Sequence, residues 1–176
     1  MTKRTSLTWW EHMLATPAAF TSWLQDQYHG EVTAAVRIRT FADKYATSKR
    51  HKSILEVIAG QEGQHAQWIV KLLTARGIAP QVLEKKERYW DETLPGINDF
   101  LTGAAVASHA ERMRLERIRV ICEHRDSPDD VRLVFQKILP QEEFHERAFA
   151  QMAGAEALDA TKYAHERGLE ALGLVM

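Results

Sequence analysis

One pattern occurs twice in this chain, eighty residues apart, and it sharply limits what the chain can fold into. The first copy reads His29-Gly30-Glu31, then Arg37-Ile38-Arg39, then Gln61-Glu62 and His65. The second reads His109-Ala110-Glu111, then Arg117-Ile118-Arg119, then Gln141-Glu142 and His145. Each copy is a lone glutamate followed thirty-one residues later by Glu-x-x-His. Residues three apart on a helix lie on one face, so Glu62 with His65, and Glu142 with His145, can share a metal. Two helix hairpins closed face to face would bring four carboxylates and two imidazoles together, the donor set of a dinuclear carboxylate-bridged centre. Taking an ionised carboxylate out of water costs several kcal/mol unless it is paired, hydrogen-bonded or metal-bound. Two divalent cations would balance four such charges, whereas a lone zinc prefers four tetrahedral ligands. Carboxylate oxygen with some imidazole nitrogen suits iron or manganese.

The spacing of apolar residues supports helix nearly throughout, and runs of β-branched residues with period-two alternation are missing. Residues 8–15 read as a short amphipathic lead-in helix. Thr16-Pro17 reads as a cap followed by proline at the first helical position, opening a long helix to about Ala46. That helix carries Leu24, Tyr28, Glu31, Ala35 and Ile38 on one stripe. A second helix follows the turn at Thr47-Ser48, carries Leu55, Ile58, Glu62, His65, Ile69 and Leu72, and stops at Gly77. A longer connection with its own short helix around Gln81–Trp90 leads to a third helix from about Asn98, with Leu101, Ala104, Ser108, Glu111, Leu115, Ile118 and Cys122 on its stripe. Asp126-Ser127-Pro128-Asp129-Asp130 ends it, with Ser127 as the expected cap of a fourth helix carrying Val131, Phe135, Ile138, Glu142, His145 and Phe149. Gly154 marks the end of that helix, and residues 158–172 read as a fifth. Short turns within each pair and one long crossover between them predict an all-α four-helix bundle of two duplicated antiparallel hairpins, with a core over about 17–152 and a short C-terminal helix, in a single domain spanning 1–176.

Composition narrows the function classes. With 23 basic and 24 acidic residues in 176, the chain has no charge excess that would draw it to nucleic acid or an anionic membrane. No apolar run approaches the roughly 20 residues needed to cross a bilayer. The opening residues MTKRTSLTWWEHM lack the apolar stretch of a secretory signal, which predicts a cytoplasmic protein. The single cysteine, Cys122, excludes an internal disulfide and any four-cysteine metal centre, so electrons must come from an external donor.

Over roughly residues 17–152 these motifs resemble the ferritin-like diiron-carboxylate superfamily of ferritins, bacterioferritins and rubrerythrins, in its rubrerythrin-like branch without a rubredoxin domain. The resemblance implies a ferritin-like bundle and two iron ions, with manganese or a mixed manganese/iron pair as alternatives. It makes Glu31 and His65 terminal ligands of one ion and Glu111 and His145 terminal ligands of the other, with Glu62 and Glu142 bridging. It implies an oxidoreductase that reacts with hydrogen peroxide or dioxygen, in the manner of rubrerythrin peroxide reduction. Oxidation of a small organic substrate and ferroxidase iron handling are the alternatives. A homodimer is expected. Rubrerythrins carry an additional carboxylate on the third helix; here the neighbours one turn from Glu111 are Ser108 and Arg114, a departure from that pattern.

Other residues are open to two readings. Tyr28 lies one turn before Glu31 and is either a hydrogen-bonding partner of the centre or a core tyrosine. Trp68 reads as packing beside His65. His29 and His109 fall about 200° around the helix from their glutamates, which predicts surface exposure. Glu116, about 140° from Glu111, is expected to face solvent instead of metal, as are Glu143 and Glu146. Pro140, two residues before Glu142, is expected to kink its helix there. Lys85, Lys86 and Arg88, together with Arg112, Arg114, Arg117 and Arg119, form either solvated helix faces or a docking surface for an acidic redox partner.

Overall fold

A computed structural model of the chain describes residues 5–85 and 87–174; Lys86 of the basic run lies outside them. The described residues are all-α, in the order α1 (Ser6–Ala15), α2 (Pro17–Tyr45), α3 (Lys49–Thr74), α4 (Arg88–Thr93), a 3-10 turn (Leu94–Gly96), α5 (Phe100–Glu123) and α6 (Asp129–Leu172). This is the expected helical, ferritin-like class, and none of the described helices is long and apolar enough to cross a membrane. The chain divides into two compact units. One holds Trp10–Glu84 with Ile121–Ile138, and the other holds Met1–Trp9, Lys85–Val120 and Leu139–Met176.

In the unit built on α2 and α3, Arg39 meets Glu56 and Glu31 meets His65, so the two helices run antiparallel. The stripe read from the sequence is the face that is buried: Leu24, Ala35 and Ile38 of α2, with Leu55, Ile58, Ile69 and Leu72 of α3. Trp10 is fully buried and makes an edge contact with Trp23, which stacks on Phe135. The Trp10 Nε1–H donates to Ser127 Oγ at 2.9 Å, and the Ser127 hydroxyl donates to the carbonyl of Ile121 at 2.7 Å. Ser127 is therefore committed to satisfying buried polar groups and does not cap α6, contrary to the sequence expectation. The same tryptophan explains why the lead-in helix forms. Its ring is a large apolar surface that only docking removes from water.

Gly77 ends α3 as expected. At φ +69° it takes the left-handed conformation while Ile78 N–H donates to Leu73 O and Gly77 N–H donates to Thr74 O. The crossover that follows is not helical over 81–85, where a helix was expected. Gln25 Nε2 donates to Ala79 O, and the Leu83 N–H donates to His29 Nδ1 at 3.0 Å. Side chains of α2 thus meet the crossover's polar groups, and an extended path satisfies them without a helix. The short helix forms later, as α4.

In the other unit, Arg112 pairs with Glu146 and Arg119 with Glu143, an antiparallel arrangement of α5 and α6. The buried set is Ala104, Ala105, Leu115, Ile118, Phe149 and Met152. Leu101, placed on this stripe by its spacing, is instead 49% exposed in the first turn of α5. Pro140 leaves the backbone helical, and the break in α6 falls at Gly154 (φ +75°, ψ 165°), a conformation that disfavours any side chain. The helix resumes directly after Gly154, earlier than the expected residue 158.

Candidate metal centre

Both copies of the repeated pattern fold into a carboxylate–imidazole triad, one in each unit. In the α2–α3 hairpin, Glu31 and His65 have no exposed surface and Glu62 is 1% exposed. The three offer ligand atoms within 4.8 Å of one another. His65 Nδ1 lies 3.4 Å from Glu31 Oε2 and 3.9 Å from Glu62 Oε2. The helical spacing of Glu62 and His65 puts both on the inner face of α3, and the antiparallel crossing brings Glu31 of α2 opposite them. Trp68, one turn on, packs its ring 5.6 Å from that of His65.

On α5 and α6, Glu111, Glu142 and His145 likewise offer atoms within 4.8 Å of one another. His145 Nδ1 lies 3.4 Å from Glu142 Oε2, and both residues are fully buried, whereas Glu111 retains partial exposure. Arg114 supplies the difference between the copies. Its Nε lies 3.1 Å from Glu142 Oε1, at the position where the first copy has Ala34. A guanidinium thus stands against the buried Glu142 carboxylate, and burial strengthens that attraction relative to water.

The donor chemistry fits a divalent transition metal. Each triad supplies two carboxylates and one imidazole from rigid helices, with no thiolate, a set suited to iron or manganese. Buried carboxylates packed this closely against imidazole nitrogens gain most from a cation, because each isolated charge is costly away from water.

Several other expectations are corrected. His29 and His109 are buried, not exposed. Both act as tethers: His29 receives the Leu83 N–H, while His109 Nε2 lies 3.1 Å from Leu158 O and 3.2 Å from Thr161 Oγ1. Each sits on the far side of its helix from the neighbouring glutamate, where the crossover or the post-Gly154 helix covers it. Glu116 is half-buried and accepts a hydrogen bond from Ser6 Oγ at 2.8 Å, outside both triads. Glu143 and Glu146 pair with Arg119 and Arg112. Arg117 lies over the ring of Trp9 at 4.9 Å, so much of the basic run is already engaged within the chain. Tyr28 is half-buried.

A second polar cluster escaped the sequence reading. Tyr89 of α4 places its hydroxyl 2.8 Å from His165 Nδ1, and His165 stacks on His109 at 4.7 Å with an interplanar angle of 12°. Burial, then the nearby Glu111 carboxylate, pushes the Tyr89 hydroxyl upward from its ordinary pKa. Burial, then His109 and Arg112, lowers His165 to about 4. His109 was visible as part of the repeat, but nothing local in the sequence links residues 89, 109 and 165.

The rubrerythrin family model matches residues 23–153, a span that contains all six triad residues. No curated protein and no solved structure matches the chain. The match covers well over half of the 176 residues and takes in both copies of the repeated pattern, so the chain belongs to the rubrerythrin family.

Proposed function

We propose that the two triads serve one dinuclear iron centre, with Glu31, Glu62, His65, Glu111, Glu142 and His145 as its ligands, and that the protein reduces hydrogen peroxide or dioxygen with electrons from an external donor. The observation that carries this reading is the pair of buried carboxylate–imidazole triads in a chain of the rubrerythrin family. Manganese or a mixed manganese/iron pair would suit the same donors. Glu62 and Glu142 would be the shared carboxylates and the other four residues terminal ligands, as the superfamily resemblance implies.

A metal pair bound there supplies two electrons together to a dioxygen or peroxide oxidant. The protein's own contribution is geometric and electrostatic. Helical backbone fixes the spacing of each Glu-x-x-His, and complete burial of His65, Glu142 and His145 keeps bulk water from their donor atoms. Glu111 is the ligand with residual exposure, which makes its side the entry for a small oxidant. Arg114 brings its positive charge to 3.1 Å from Glu142 and opposes the carboxylate's negative charge. A homodimer and a cytoplasmic location complete the proposal.

The test is to load the purified protein with iron, measure metal per chain, reduce it, and mix it separately with peroxide and dioxygen. Oxidation faster with peroxide than with dioxygen supports peroxide reduction. The reverse order without growth of an iron core favours an oxygenase, and turnover of many ferrous ions per chain favours iron storage. Failure to hold iron at the triads overturns the reading.

A further inference from the structure

We propose that Trp68 is the residue through which an external donor's electrons enter the centre, crossing from its indole to the imidazole of His65. This inference rests on the dinuclear reading above and names the route by which the centre is re-reduced. Glu31 and His65 have no exposed surface and Glu62 is 1% exposed, so a donor held at the protein surface cannot touch these ligands. Electrons reach them only by tunnelling, which falls exponentially with the gap and crosses π systems better than saturated side chains. A partly exposed aromatic ring set against a buried ligand shortens that gap.

Trp68 meets this requirement. Its ring centroid lies 5.6 Å from that of His65, with the two planes 32° apart. The contact follows from the helix, because three residues on from His65 is one turn along the same side of α3. Trp68 also stands at the border of that side. Its neighbours Ile69 and Leu72 are buried, Gln64, Gln67 and Lys71 are exposed, and Trp68 itself keeps partial exposure. The packing tryptophans of the same unit differ. Trp10 and Trp23 are 0% and 5% exposed, inside an aromatic group with Phe20 and Phe135. Those rings are taken out of water, whereas Trp68 reaches from solvent to a ligand.

The step balances as follows. Each passage oxidises the donor by one electron and reduces the centre by one. The indole is a bridge, neither oxidised nor reduced, and no proton moves on it. Two passages, with two protons from water, balance the reduction of one hydrogen peroxide to two water molecules. The donor is a one-electron carrier working from the surface, such as a reduced flavin.

The experiment oxidises the iron-loaded protein with peroxide in one stopped-flow mix and re-reduces it with photoreduced flavin mononucleotide in the next. It compares unchanged protein with Trp68→Leu and Trp68→Phe at equal iron content. Re-reduction is expected to be several-fold slower in Trp68→Leu and less slowed in Trp68→Phe, which keeps an aromatic ring, while the peroxide step keeps its rate. Where Trp68→Leu fails to fold, Trp68→Phe carries the comparison. A second measurement needs no turnover. Cobalt(II) bound at the triads is expected to quench tryptophan fluorescence, and the quenched fraction should fall in Trp68→Phe, which lacks the indole beside His65. Unchanged re-reduction in the variants, an equal slowing of both steps, or an unaltered quenched fraction overturns the route and leaves the dinuclear reading standing. Failure of the unchanged protein to bind either metal overturns both.

Discussion

Arg114 holds its Nε 3.1 Å from Oε1 of the buried Glu142, while the equivalent residue of the first copy, Ala34, offers only a methyl group. The second copy therefore brings a positive charge to its buried carboxylate from a position that the first copy fills with alanine. In metal-free protein that charge offsets the burial of Glu142. Arg114→Ala is expected to destabilise metal-free protein by about 1–3 kcal/mol, below the full cost of breaking a buried pair because Arg114 is 22% exposed. The same substitution removes a cation that competes for Glu142, so divalent metal should bind more tightly. Thermal unfolding with and without manganese, beside calorimetric titration, checks both signs; weaker metal binding would show that Arg114 supports the centre instead of opposing it.

Replacing a ligand differs from replacing a bystander carboxylate. Under the proposed ligand assignment, Glu62→Ala and Glu142→Ala are each expected to lower iron content from about two ions per chain to about one or fewer, since each would remove a carboxylate shared by both ions. Glu116→Ala should leave iron content unchanged, because Glu116 hydrogen-bonds Ser6 and lies outside both triads. Metal analysis after desalting reads the difference. Equal losses in all three variants would remove the basis for the ligand assignment.

Trp10 anchors the lead-in helix through packing and one buried hydrogen bond. Trp10→Ala should cost about 3–5 kcal/mol of stability, the range for emptying a large aromatic site in a core. Trp10→Phe retains most of the packing but leaves Ser127 Oγ without its indole donor, and should cost about 1–3 kcal/mol. Urea unfolding followed by circular dichroism measures both, and similar losses for the two would show that the hydrogen bond dominates.

Stability should fall with acid across the range set by His165. Burial first, then the His109 and Arg112 neighbours, holds its folded-state pKa at about 4, below its ordinary value of 6.5. Between those values the unfolded chain binds a proton that the folded chain does not, so stability rises with pH from about 4 to 6.5 and is flat below, once both states are protonated. His109, also lowered by burial, acts in the same direction. His165→Gln should flatten the slope in chemical unfolding between those limits. An unchanged slope would assign the acid sensitivity to other groups.

The six triad residues were legible because the information is local and repeated. Glu-x-x-His needs only helical periodicity to align its two side chains, and the recurrence of that spacing with a lone glutamate made coincidence a poor account. Gly77 was equally legible, since a left-handed residue closing a helix is a backbone requirement that glycine meets at little cost. The covering of the outer helix faces was not. His29 and His109 lie opposite the inner stripe, and the sequence alone gave no sign that the crossover would reach over one and the post-Gly154 helix over the other. The same long-range packing turned Ser127 from a helix cap into a partner of Trp10, and joined Tyr89 to His165 across seventy-six residues. Periodicity says which side of a helix is apolar, and so it determined the helices, their pairing and which carboxylates and imidazoles share an inner face. Which segment lies over the opposite side depends on contacts between distant residues, so only the tertiary structure decided where Arg114, His109 and Tyr89 stand.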